Sequence, residues 1–250
     1  SRPGFNAAQT ANFFSRFALG FDQGIPGRNT FPVLFRLPTG PASWLAGAAE
    51  GFKAMFKSDE AMRKTYEGFR TRIQRTGIDG GPGLFNDGLR LEDIAETSIA
   101  KGGEFTSANS YMQSRFPALK YLVGPWNRAW AGALNATRTY EYLMSDWLMQ
   151  RYAGITGQPY GIAERLRVAQ EINVITSVGY KFPKESDKIP HALASIAHAV
   201  GVAPSYRYAR LRLVPDIAKA AISIGNDARQ LKPPKPGDLE TLRNGIGMAG

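Results

Sequence analysis

Residues 116–179 read FPALKYLVGPWNRAWAGALNATRTYEYLMSDWLMQRYAGITGQPYGIAERLRVAQEINVITSVG. Pro125 is placed to open a long helix, because a first-turn proline gives up an N–H that would lack an intrahelical partner anyway. From there Trp126, Trp130, Ala133, Thr137, Tyr140, Met144, Trp147 and Leu148 recur at the 3.6-residue period and predict an amphipathic helix with an aromatic stripe. Arg128, Asn135, Arg138 and Asp146 lie towards the opposite face. A second set, Ile162, Leu166, Ala169 and Ile172, carries the pattern over 160–178 and ends at Gly179. The β-branched run over 172–178 also suits a strand, but no partner strand is evident nearby.

Outward from this stretch, Gly and Pro cut the chain into further helical blocks. Residues 5–21 are aromatic-rich, with Phe13, Phe14 and Phe17 at helical spacing. Pro26, Pro32 and Pro38 make 24–40 an irregular connector holding at most a short apolar helix. Over 41–57, Trp44, Leu45, Ala48, Phe52, Met55 and Phe56 form one broad stripe. Ser58 reads as an N-cap, with Asp59 and Glu60 in a first turn that favours negative charge, and this helix runs to about Arg75. The run GIDGGPGLFNDG (77–88) is the clearest loop and a subregion boundary. Two shorter helices are expected over 89–100 and 104–116, and another over 189–200. The blocks 204–214 and 215–231 each begin with a proline in a helix-starting position, and KPPKPG (232–237) reads as a stiff linker. The expectation is an all-α, multi-helix array with one long central helix and irregular Gly/Pro-rich connectors. Its expected division is an N-terminal helical subregion (1–88), a main helical domain (89–231), and a Pro/Gly-rich tail or linker to further sequence (232–250).

Composition narrows the function classes. A 250-residue chain buries a real core, and its hydrophobic and charged fractions are those of a globular protein. The absence of cysteine excludes a disulfide framework and thiolate metal sites. No run approaches the roughly 18–20 apolar residues that span a bilayer as a helix. The net charge of +10 favours nucleic acid, acidic membrane surfaces or acidic proteins as partners, against a plain solvated basic surface. The start without Met and the Gly-rich ending predict a piece of a longer polypeptide.

Candidate chemistry is sparse. Gly245-Ile-Gly247-Met-Ala-Gly250 has dinucleotide-binding spacing, but the chain ends where an acidic ribose contact would follow. Gly80-Gly-Pro-Gly83 lacks the Lys-Ser/Thr of a phosphate loop. His191 and His198 are seven residues apart, too wide for paired ligands one helical turn apart, so no metal or cofactor is expected. Glu92–Asp93 and Asp59–Glu60 are explained by first-turn capping, and Glu104 lacks the context a cell-wall-cleaving glutamate would need. Asn135-Ala-Thr137 is a formal glycosylation sequon inside a helix. One basic group comprises Lys53, Lys57, Arg63, Lys64, Arg70, Arg72 and Arg75; another joins Arg207, Arg210 and Arg212 to Tyr206 and Tyr208, with Lys219, Arg229, Lys232 and Lys235 beyond. Arginine interleaved with tyrosine can neutralise phosphates and stack on bases, giving sequence-independent, salt-sensitive binding; the plainer reading is a solvated face.

Three segments carry a family resemblance: WNRAWAGALNATRTYEY (126–142) with Leu134, Asn135 and Arg138; Ile172-Asn173-Val174 with Thr176 and Gly179; and Ala203-Pro-Ser-Tyr-Arg207 through Arg210. Over about 41–213 the chain resembles an α-helical region of the large polyvalent proteins of bacteriophages and conjugative elements. Similar regions occur in internal virion proteins that short-tailed phages eject with their genome. The match departs from the family pattern at Ser177-Val178, where Gly-Arg is expected, and is imperfect in the third segment. The resemblance implies a structural, non-enzymatic interaction segment of an ejection protein that assembles with other copies or sister virion proteins. It implies a virion-interior location, then the host envelope or cytoplasm, with phage DNA as a further partner. It brings no active site. Asn135, Arg138 and Asn173 are then expected to be buried polar groups that fix helix register, because buried amides must find partners. The other reading is a sequence-independent nucleic-acid-binding accessory domain centred on Arg207, Arg210, Arg212, Tyr206 and Tyr208.

Overall fold

The structure, a computed structural model, describes residues 30–81, 88–91, 119–176 and 204–249, with the side chains of 119–124, 126–127, 204–213 and 247–249 outside that description. Helix takes 78% of these residues and the only sheet among them has two strands of two residues, so the fold is all-α. A helical turn at 30–34 leads into α1 (Gly40–Met55), then α2 (Asp59–Gln74), β1 (Gly80–Gly81), β2 (Leu89–Arg90), α3 (Leu119–Thr156), α4 (Ile162–Ile175), α5 (Pro204–Arg229) and α6 (Pro236–Ala249). The expected helices at 5–21, 104–116 and 189–200, with both histidines, Glu92, Asp93 and Glu104, lie outside the described residues.

The 38-residue α3 is the axis, and α1 runs antiparallel along it. The contact is made by the smallest residues of both helices. The buried positions of α1 are Gly40, Ser43, Gly47, Gly51 and Ala54, three or four residues apart. A Cβ on Gly47 would fall 1.8 Å from Thr137 Oγ1, and one on Gly51 would meet Ala133 Cβ at 2.7 Å. On α3, a Cβ on Gly132 would meet Ala54 Cβ at 2.6 Å. Small side chains let the two backbones approach closely, so van der Waals contact between main chains replaces interdigitation of large groups.

The broad apolar stripe read over 41–57 lies largely on the outer side of α1, away from this contact: Leu45 is 62% exposed, Phe52 66% and Phe56 76%. On α3 the stripe is mostly covered, with Ala133 and Thr137 buried and Trp147 61% exposed, and Asn135 and Arg138 are buried as expected together with Asp146. The reason is geometric: the middle of α3 is covered on every side, and residues 131–139 are all buried.

Local signals account for the other elements. Ser58 Oγ accepts the Ala61 N–H at 3.2 Å, and Asp59 and Glu60 occupy the first turn of α2. Tyr66, Phe69 and Ile73 of α2 join Ile78, Leu89 and Leu91, Ala136 and Tyr142 of α3, and Val168, Ala169 and Ile172 of α4 in the main apolar core. Gly157, with φ +70°, stands just past α3 in the left-handed region that glycine reaches without strain.

Several boundaries differ from the sequence reading. α3 begins at Leu119, with Pro125 inside it, and α5 is one helix with Pro215 inside rather than two blocks. Leu89 and Arg90 pair in parallel with Gly80 and Gly81 instead of opening a helix. The 172–175 run stays helical, as the end of α4. Residues 236–249, read as tail, form α6, which packs on α5, α4 and α3. The expected divide at 88 is crossed by the α1–α3 seam.

Candidate functional site

The chemically richest part of the described fold is a buried ionic junction where α3, α4, α6 and the approach to α1 meet. Arg36 and Glu141 are completely buried, and Glu240 is 1% exposed. Arg36 donates to Glu141 Oε1 at 2.6 Å and, through its other terminal nitrogen, to Glu240 Oε1. Glu141 Oε1 also accepts from Thr39 Oγ1 at 2.8 Å and from Ser145 Oγ at 3.1 Å. Arg243, one helical turn from Glu240 on α6, donates to Glu240 Oε2 at 2.6 Å, Thr39 Oγ1 at 2.6 Å and the Leu37 carbonyl at 3.0 Å. Two guanidinium groups therefore face two carboxylates. Burial lowers the Arg36 pKa to about 10, against the attraction of Glu141. It also lowers that of Arg243, with Glu141 opposing.

A second group adjoins through α6. Glu171 of α4 accepts from Thr241 Oγ1 at 2.6 Å, Arg167 Nε at 3.1 Å and the Asn244 side-chain amide. Burial holds the Glu171 carboxyl above its ordinary value, although Thr241, Arg167 and Arg36 favour its ionised form. Past its first turn, where Pro236 and Gly237 are buried, the inward face of α6 is Glu240, Thr241 and Asn244, all polar.

Asn135, Arg138 and Asn173 are all buried, and two of them lead to one place. Arg138 Nε donates to Thr176 Oγ1 at 2.8 Å and a terminal nitrogen to the Arg90 carbonyl at 3.3 Å. The Asn173 amide caps the edge of β2 that faces away from β1: its Oδ1 accepts the Arg90 N–H and its Nδ2 donates to the Gly88 carbonyl, both at 2.9 Å. These side chains satisfy backbone groups of a strand too short to satisfy its own. Asn135 is 2% exposed in the middle of α3, so the glycosylation sequon is buried. Residues 206–212, including Tyr206, Arg207, Tyr208, Arg210 and Arg212, lie on the first half of α5, and their side chains are outside the described set.

At the far end of α3, Asp146 accepts from Gln150 at 2.6 Å and Tyr160 Oη at 3.0 Å, while Arg165 Nε stands 3.1 Å away as an ion pair. Tyr142 Oη lies 2.7 Å from Thr76 Oγ1, and burial raises its pKa to about 12. Burial, with Asp146 next to it, also pushes the Tyr160 phenol up.

What these groups can do follows from access. A general acid or base must reach a substrate proton, directly or through one water. The carboxylates of Glu141, Glu240 and Asp146 are each 3% exposed or less and already engaged by arginine, so their chemistry is to fasten helices. Among the described residues no group of three acidic or histidine side chains is placed to hold a metal ion. The junction escaped sequence reading because Arg36 sits in a Pro-rich connector, and Glu240 and Arg243 fall in the stretch read as a Pro/Gly-rich tail. Comparison with protein-family models, curated proteins and solved structures finds no match to this chain.

Proposed function

We propose that this chain is a structural, non-enzymatic segment of a bacteriophage internal virion protein, ejected with the genome and assembled with other copies or sister proteins. The observation that supports the reading is where the resemblance segments meet. Arg138 from the first and Thr176 and Asn173 from the second converge on one buried contact between α3, α4 and β2. Residues of this kind, spent on helix register, are what an architectural module needs. In this reading the protein starts inside the particle and reaches the host envelope or cytoplasm on infection. Mass spectrometry of purified particles, beside host membrane and cytosol fractions after infection, tests it. Peptides in the particle that move to the cell are the expected result; absence from particles overturns it.

A second reading keeps one observation of its own. Arg63, Arg72 and Arg75 lie exposed along α2 and join no ion pair among the described residues, whereas Lys53, Lys57 and Lys64 are held by Glu50 and Glu60. Such free cations suit a sequence-blind contact with nucleic acid. Binding to random duplex DNA that weakens steeply with salt, and that Arg63→Glu/Arg72→Glu/Arg75→Glu reduces, is the outcome that favours it.

A further inference from the structure

The outer ridge of α1 is left over from both the fold and the ionic junction. Pro41, Leu45, Ala48, Ala49, Phe52 and Phe56 fall within one narrow arc of the helix and none carries charge. Phe52 and Phe56 stack edge to face with centroids 5.4 Å apart and are 66% and 76% exposed. The opposite side of the same helix is consumed by the glycine seam, so the apolar stripe runs along the outer, solvent-facing side of α1.

We propose that this ridge is a peripheral lipid-contact site, which lays its apolar side chains into the interface of an anionic membrane. Shape argues first. Partner helices and peptides are usually taken into concave grooves, whereas a convex apolar stripe on a surface helix suits the plane between headgroups and acyl chains. Size argues next. The ridge is about 22 Å long and one helix, ~10 Å, wide. That footprint of roughly 220 Å² is far below the ~800 Å² per partner that stable protein interfaces bury. Charge completes the case: the chain carries +10, and at the edge of the stripe Lys53, 63% of its side chain exposed, and Lys57 share the single carboxylate of Glu50, leaving that edge net positive. Anionic headgroups would draw such a surface in and let the lysine stem lie along the interface. No described helix is long and apolar enough to cross the bilayer, so the contact is superficial. This inference uses only the α1 geometry and the charge, and does not rest on the phage reading.

The test is co-sedimentation of the full 250-residue chain with phosphatidylcholine vesicles made with and without phosphatidylglycerol. Binding is expected to need the anionic lipid. The charge-neutral double variant Phe52→Ser/Phe56→Ser should weaken it at least about tenfold while leaving circular dichroism and melting unchanged, since both rings are exposed. In a separate Phe52→Trp variant the tryptophan added at that site should shift its emission to the blue on vesicles. Three outcomes would overturn the proposal. One is no sedimentation with either vesicle. Another is equal binding by the Ser variant, which would place the contact elsewhere. The last is a dimer in light scattering that the Ser variant abolishes without any vesicle binding, which would make a second copy the occupant.

Discussion

Helices α1 and α6 both dock against α3, and they do so by opposite physics. α1 presents Gly40, Ser43, Gly47, Gly51 and Ala54, and its hold is main-chain contact at short range. α6 presents Glu240, Thr241 and Asn244; none of the buried hydrophobic side chains among the described residues comes from it. The first contact is limited by volume and indifferent to charge. The second is limited by charge balance, because every ion taken out of water must meet its partner. The contrast teaches that similar-looking helix–helix contacts in one small fold can fail for unrelated reasons.

The largest expected effect is on the ionic side. Arg36→Met leaves Glu141 and Glu240 buried against a single guanidinium, Arg243, and should cost ~3–5 kcal/mol of unfolding free energy, read from a urea titration. The diagnostic step is Arg36→Met/Glu240→Leu, which removes one charge of each sign. If α6 is held by charge balance, the double variant recovers much of the loss; if Arg36 matters through its packed stem, it recovers none.

Next comes the steric side. Gly47→Val places a branched side chain where even a Cβ lies 1.8 Å from Thr137 Oγ1 and 3.0 Å from the Ala133 carbonyl. The helices must separate, at about 1–3 kcal/mol or more. Gly68, on the exposed side of α2 with open space around its Cβ, is the control: Gly68→Ala should be stabilising by up to ~1 kcal/mol through helix propensity. Thermal melts of the two variants would move in opposite directions. Equal shifts would mean that Gly47 matters only as a flexible residue.

The same contrast explains what could be read in advance. Helix α2 was legible to within a residue at each end, because Ser58, Asp59 and Glu60 mark its start chemically and Met62, Tyr66, Phe69 and Ile73 keep a strict period. Asn173 in its apolar run was legible as a buried amide, since an unpaired one is costly. The inward face of α1 was not, although Gly40, Ser43, Gly47, Gly51 and Ala54 do repeat at helical spacing. Periodicity weights large apolar residues, and here those point to solvent. The ionic junction was illegible for a different reason. Its central pairs join residues 105 and 204 positions apart, and no local window holds both partners. What a window shows is a lone arginine between prolines and, far along the chain, two charges in a stretch that reads as a Pro/Gly-rich tail.

The smallest effect distinguishes the two contacts by pH. Because burial raises the folded-state pKa of Glu171 above its ordinary 4.5, the native state holds this proton more tightly than the unfolded chain does. Its contribution to stability is therefore greatest at or below pH 4.5 and declines as pH rises through the raised value. Glu171→Gln should flatten that slope, measured as urea-unfolding free energy across pH 4 to 8. The glutamine oxygen can still accept from Thr241 Oγ1. Its new N–H₂ can donate to Asn244 Oδ1, a buried oxygen without a hydrogen-bond partner in the wild type, once the Asn244 amide turns over. So the variant should lose little stability near neutral pH, and the α1 seam, which carries no titrating group, should be untouched. A Gln variant that keeps the full wild-type slope would show that the pH sensitivity does not come from Glu171. A Gln variant that unfolds would show that α6 needs the charge at Glu171, and not merely its hydrogen bonds.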